Sequence, residues 1–210
     1  MKVLAVSDQV DPRLYNPAVK TNLPGVELIL GCGDLPAHYL DFLASTLSAP
    51  LFYVAGNHDV WLTDPVPGEP HRSFGGTDLD EQVVAHQRLL LGGLAGSMRY
   101  NRNAGAQYTE PEMARKASRM IPRLLWNRLR YGRYLDVLIT HAPPKGIHDT
   151  NDLCHTGFNA LLRFMDRFEP RYLLHGHVHR YSPDEPAETR YGRTQVINVY
   201  PYRLLDIYPL

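Results

Sequence analysis

Five apolar runs in this chain stop abruptly at residues that can bind a metal ion, and this repeated ending constrains the fold more than any other feature. Residues 2–6 run into Ser7-Asp8, and residues 26–30 into Gly31-Cys32-Gly33-Asp34. Residues 51–54 lead to Gly56-Asn57-His58-Asp59, residues 135–139 to Thr140-His141, and residues 172–174 to His175-Gly176-His177-Val178-His179. Runs this short and apolar read as buried strands. Strands of an open α/β sheet bring their carboxyl ends to one edge, where ligands bind, so five distant motifs can meet there. Singly, each has an ordinary explanation: a Gly-Asn pair is a turn signal, and an isolated histidine is a core or surface imidazole. Together they do not, because buried carboxylates and imidazoles require partners or a metal.

The rest of the chain supplies a frame for these strands. Residues 37–47 read as a helix, with Leu40, Leu43 and Leu47 on one face and Pro50 barring extension. Residues 63–80, rich in Pro, Gly and charge, read as a long loop whose end at 75–80 is a candidate neighbour of the site. Residues 83–84 and 88–94 read as strands. Thr109 and Glu112 form a capping box that opens a helix to about Met120, and Pro122 opens another that ends near Gly132. The arginines across 115–133 read as a solvated helical face, since aromatic interleaving is thin. Residues 157–168 have helical periodicity, with Phe158, Leu161, Leu162 and Met165 inward. Residues 196–199 read as a late strand, before a Tyr- and Pro-rich tail. With no repeat, low-complexity tract or linker, the expectation is one domain over residues 1–210.

The candidate metal ligands are Asp8, Asp34, Asn57, His141, His177 and His179. All offer oxygen or nitrogen, a donor set that suits Mn²⁺, Fe, Zn²⁺, Ni²⁺ or Co²⁺. His58 can exchange a proton near neutral pH, and Asp59 can hold it in one tautomer. His148, Asp149 and His155, in the loop after His141, are candidate substrate contacts, with Asp149 also readable as a turn residue. Cys32 and Cys154 lie far apart and form no metal-type pair, which points to a reducing cytoplasm. The net charge is zero, so nothing indicates nucleic acid. No apolar run is long enough to span a membrane.

Asp8, Gly33-Asp34, Gly56-Asn57-His58-Asp59, His141 and Gly176-His177-Val178-His179 together resemble the motifs of the calcineurin-like metallophosphoesterases. The resemblance implies an α+β, four-layer αββα sandwich of two mixed sheets flanked by helices. It implies two divalent ions, Mn²⁺ foremost, with Asp34 shared between them. Asp34, Asn57, His141 and His177 would hold one ion, Asp8, Asp34 and His179 the other, and His58 would be the catalytic histidine. The implied reaction is hydrolysis of a small phosphorylated substrate, a phosphodiester in preference to a monoester. The family's first motif is Asp-x-His, whereas Asp8-Gln9-Val10 stands here. Strand alternation would turn Val10 to the side of Asp8, leaving Gln9 or Asp11 as substitutes and a weaker second ion. The missing histidine also gives some weight to a reading from another class, a non-catalytic scaffold of this fold that binds protein partners.

Overall fold

The computed structural model describes residues 1–59, 75–101, 105–180, 182 and 186–209. In chain order its elements are β1 (Lys2–Val6), α1 (Val19–Asn22), β2 (Leu28–Cys32), α2 (Ala37–Leu47), β3 (Leu51–Val54), β4 (Thr77–Asp78), β5 (Val83–His86) and β6 (Leu89–Leu94). They continue with β7 (Ser97–Met98), β8 (Gln107–Tyr108), α3 (Glu110–Arg119), α4 (Ile121–Tyr131), β9 (Val137–Thr140), α5 (Asn159–Phe168), β10 (Tyr172–His175), β11 (Glu188–Tyr191), β12 (Thr194–Asn198) and β13 (Tyr202–Asp206).

Two mixed sheets face each other. The first has the order β13-β1-β2-β3-β4, parallel except for β13. The second has the order β11-β12-β10-β9-β6-β5, with a parallel centre and an antiparallel strand at each edge. Side-chain alternation then divides the core. Val3 and Ala5 of β1 point into the space between the sheets, with Leu28, Leu30, Val137, Ile139 and Leu174. Leu4 and Val6 point the other way, onto Tyr39, Leu40 and Leu43 of α2. On the far side, Leu138, Leu173 and Val196 pack against Met113, Leu124, Leu161 and Phe164 of α3, α4 and α5. The result is the expected αββα layering. Strands buried on both faces show continuous apolar runs, which is why they are so legible in the sequence.

Several boundaries differ from expectation for identifiable reasons. β2 runs on to Cys32 because Gly31 and Cys32 pair with Tyr53 and Val54. β9 starts only at Val137; before it, the buried Asp136 carboxylate accepts hydrogen bonds from Leu90 N and Arg133. β13 lies in the Tyr- and Pro-rich tail, where no pattern predicts an element, and pairs antiparallel with β1. It and β11 are edge strands with mixed exposure, so neither shows an apolar run. In α5, Phe164 and Phe168 are buried, and Leu162 is only partly so.

Residues 63–74 of the expected long loop lie outside the described residues. The rest of that loop adds β4 to the edge of the first sheet and carries Asp80 to Lys116. None of residues 75–80 lines the cavity described below. The basic segment is more than a solvated face: Lys116 is buried and paired with Asp80 and Glu81, while Arg123, Arg128 and Arg130 are exposed. Among the described residues, no helix is long and apolar enough to cross a membrane.

Candidate metal centre

The loops after β1, β2, β3, β9 and β10 carry the candidate ligands, and three of these adopt left-handed backbone: Asp8 at φ 62°, Asp34 at 56° and His177 at 67°. Side chains seldom accept that region, and where they do, the surroundings enforce it. Here the enforcement is visible. His177 N donates to Asp8 Oδ2 (2.9 Å), and His58 N donates to Asp34 Oδ1 (2.8 Å). A Cβ at Gly56 would fall on the Asp34 carboxylate, and one at Gly176 on the Asp8 carboxylate. Both positions need glycine for the close approach.

At the centre, Asp34, His141 and His177 place one donor atom each within 4.8 Å of one another. His141 Nε2 lies 3.0 Å from Asn57 Oδ1 and 3.3 Å from Asp34 Oδ2. Its other nitrogen, Nδ1, lies 2.9 Å from the Cys32 carbonyl, which fixes Nε2 as the nitrogen facing the other donors. His177 Nε2 lies 2.6 Å from the Cys154 carbonyl, which leaves Nδ1 as the free nitrogen. Backbone carbonyls that orient an imidazole in this way are the usual support of a metal ligand. Asn57 is oriented from its other end, where Nδ2 donates to Tyr100 Oη at 3.1 Å. Asp59 is buried, and its Oδ2 accepts from the backbone N–H of both Asp34 and Gly56 at 2.8 Å. It thereby ties together the loops that carry Asp34 and Asn57.

Asp8 and His179 form the other half, with His179 Nε2 3.8 Å from Asp8 Oδ1. The His179 ring stacks on Tyr200 at 4.4 Å, and Tyr200 Oη donates to Gln9 Oε1. The expected direction of Val10 is overturned. The left-handed turn at Asp8 breaks strand alternation, and Val10 packs against the helix-side cluster of Leu14, Leu35 and Tyr39. Asp11 is not a substitute ligand: its carboxylate is taken by Arg13 through three hydrogen bonds. Val10→His is therefore expected to leave metal stoichiometry unchanged and to cost about 1 kcal/mol from burying part of an unpaired imidazole. Thermal unfolding and metal analysis of the variant check this; a rise in bound metal would contradict it.

The electrostatics suit a cation. Burial raises the Asp34 carboxyl, but the charge and hydrogen bond of His141 outweigh it and bring the group to about 2. Burial alone would lower His141, yet Asp34 and Asp8 raise it to about 9. Burial lowers His177 to about 4, so that ring is neutral. In the metal-free protein a proton between Asp34 and His141 thus takes the place of a cation. Metal affinity is expected to rise about tenfold per pH unit below the His141 value, because binding expels that proton. Calorimetry in buffers of different ionisation enthalpy measures the proton released; none released near neutral pH would refute this. For the metal-free fold the sign is opposite. The pair's stabilisation is full between about 3.8 and 6.5; it is lost as pH rises through about 9, where His141 deprotonates, and as pH falls through about 2, where Asp34 is protonated.

A cavity of about 490 Å³ opens over these groups, lined by Asp8, Asp34, Asn57, His58, His177 and His179, with Tyr100, Cys154 and His155. His141 lies fully buried beneath. Of the three loop candidates, only His155 lines this cavity. His148 and Asp149 line a neighbouring space of about 590 Å³, together with Asp152, His155, His179 and Arg180. Asp149 behaves as the turn residue: it accepts from Gly146 N and Gly157 N and pairs with Lys145. His148 Nδ1 lies 2.9 Å from His175 Nε2, in a pair that burial keeps neutral, with His148 at about 4 and His175 at about 3. Nothing local in the sequence marks Tyr100 or Tyr200 as site residues; they reach the centre only through the folded chain.

The family model for calcineurin-like phosphoesterases matches residues 1–181. No curated protein matches the chain. Among solved structures, TT1561 of Thermus thermophilus is similar at a TM-score of 0.60 and 15% identity, covering 94% of this chain and 88% of that one. GAP50, titled the anchor in the inner membrane complex of Plasmodium, is similar at 0.54 and 12% identity, covering 94% of this chain and 70% of its own. At such identities the structural likeness is one of fold.

Proposed function

The chain belongs to the calcineurin-like phosphoesterase family, and from that premise we propose that it is a metal-dependent hydrolase of small phosphodiesters. The observation that carries this reading is the convergence of Asp34, His141 and His177 on one point, with Asp8 and His179 beside it. The donor set fits divalent cations. Its nitrogen and oxygen donors face one another, and two imidazoles are already oriented by carbonyls. Asp34, Asn57, His141 and His177 would hold one ion; Asp8, Asp34 and His179 would hold a second, with Mn²⁺ the expected metal. Such ions supply Lewis acidity toward phosphoryl oxygens and a water acidified to near neutral pH.

The chain's own groups do the rest. Asp34, shared between both sets, fixes their spacing. Asp59 holds the backbone of the Asp34 and Asn57 loops, and its proposed second role is to steady His58. His58 stands exposed at the cavity wall, with its backbone N–H anchored on Asp34. From there its imidazole can donate a proton to the departing alkoxide, help that matters most for a poor leaving group. This favours a diester over a monoester. His155, at the rim, is placed to meet the substrate.

Hydrolysis of bis(p-nitrophenyl) phosphate with added Mn²⁺ tests the activity. Turnover above the metal-only background, abolished by chelation, is the expected result; none with any of Mn²⁺, Fe²⁺, Zn²⁺, Ni²⁺ or Co²⁺ would reject it. The competing reading, a non-catalytic scaffold for protein partners, draws on the valine at position 10.

A further inference from the structure

A second group of metal-type donors lies outside the centre described above. Asp152, Cys154 and His155 belong to a single turn, which is closed by Thr150 N donating to the His155 carbonyl at 3.3 Å. Within it, Cys154 Sγ is 2.9 Å from Asp152 Oδ1 and 3.4 Å from His155 Nδ1, and that nitrogen is 2.9 Å from Asp152 Oδ1. His155 N also donates to Asp152 Oδ1, holding the carboxylate under the imidazole. Three different donors therefore surround one point.

The arrangement does not match a nucleophilic triad. A triad uses both imidazole nitrogens, one toward the nucleophile and one toward the carboxylate. Here the same nitrogen, Nδ1, faces both. The hydrogen bond to Asp152 also raises the Cys154 thiol, the opposite of activation.

A cation resolves both features. Zinc bonds sulfur at about 2.3 Å and nitrogen or oxygen at about 2.0–2.1 Å, so three donors on one face of a tetrahedron lie about 3.3–3.6 Å apart. The Cys154–His155 spacing of 3.4 Å already matches, while the two 2.9 Å spacings to Asp152 are about 0.4–0.6 Å tighter, so the exposed Asp152 carboxylate would move out by that much around an ion. We propose that Asp152, Cys154 and His155 form an additional site for a zinc-class divalent cation at the rim of the phosphoesterase cavity. Thiolate with imidazole selects Zn²⁺ or Co²⁺ over Mg²⁺ and Mn²⁺. Binding displaces one proton from the Cys154 thiol to solvent, and Sγ, Oδ1 and Nδ1 each donate an electron pair to the ion. The site adjoins the main centre, since Cys154 and His155 line its cavity and the Cys154 carbonyl orients His177.

Cobalt distinguishes the two sites, because the main centre contributes no thiolate. Cys32, the other cysteine, is fully buried with Sγ directed at the Leu174 carbonyl. Titrating the whole protein with Co²⁺ is expected to give a thiolate-to-cobalt charge-transfer band that Cys154→Ser removes. Visible ligand-field bands without that ultraviolet band, with cobalt in excess, would overturn the proposal. An independent reading needs no variant: Zn²⁺ should slow alkylation of Cys154 by at least about tenfold while Mg²⁺ does not, since a metal-bound thiolate is shielded. Equal alkylation rates with both ions would also overturn it.

Discussion

His58→Ala is expected to keep its metal ions and to lose rate by about 10²–10⁴-fold, the range for a lost general acid. The side chain stands exposed at the cavity wall, and only the backbone N–H of residue 58 contacts Asp34. That bond survives the substitution, so Asp34 keeps its place and the ion-holding groups are undisturbed. The loss should fall on kcat and should be largest for diesters with poorly acidic leaving groups. It should shrink for p-nitrophenyl esters, whose leaving group needs less protonation. Metal analysis beside steady-state kinetics measures both halves. Full activity, or a loss that excess metal restores, would remove His58 from the chemistry.

Asp34→Asn is expected to do the reverse and fail through metal. The substitution keeps shape and size but removes the charge that both proposed ions share. One oxygen of Asp34 accepts from His58 N, and the other faces His141 Nε2 at 3.3 Å. An amide cannot serve both positions as an acceptor: with its oxygen kept on His58 N, its NH2 faces His141 Nε2 and favours the neutral ring, whose Nδ1 stays on the Cys32 carbonyl. Loss of several kcal/mol of charge stabilisation corresponds to at least about 10³-fold in rate. Bound metal should fall in parallel, which separates this variant from His58→Ala. In the metal-free protein, His141 should titrate well below its present value of about 9, since Asp34 supplies the largest pull upward on that ring. A full complement of tightly bound metal in Asp34→Asn would show that Asp34 is not the shared ligand.

What can be read without the structure is set by burial. β1, β2, β3, β9 and β10 are buried throughout or nearly so, so their apolar runs and polar ends stand out. The capping box at Thr109 and Glu112 is legible because it is a contact between neighbours in sequence. The edge strands β11 and β13 are not, because half-exposed strands carry no such run. Val10 departs from its expected side for a specific reason: alternation holds only while the chain stays extended, and Asp8 turns left-handed. Tyr100 and Tyr200 support Asn57 and His179 from far along the chain, contacts that no local pattern encodes. Asp59 adjoins His58 in sequence, which suggests a dyad. Its bond from Gly56 N is local, three residues away, but its bond from Asp34 N follows only from how β2 and β3 sit side by side.

Anomalous scattering from crystals grown with Mn²⁺ and phosphate tests the central claim most directly. The account predicts a strong peak among Asp34, Asn57, His141 and His177. It predicts a second, weaker peak among Asp8, Asp34 and His179, about 3.5–4 Å away, with phosphate beside both and within reach of His58. The second should be the weaker because Val10 adds no donor and Asp11 is held by Arg13. Absence of any peak touching Asp34 or His141 at saturating metal would contradict the account.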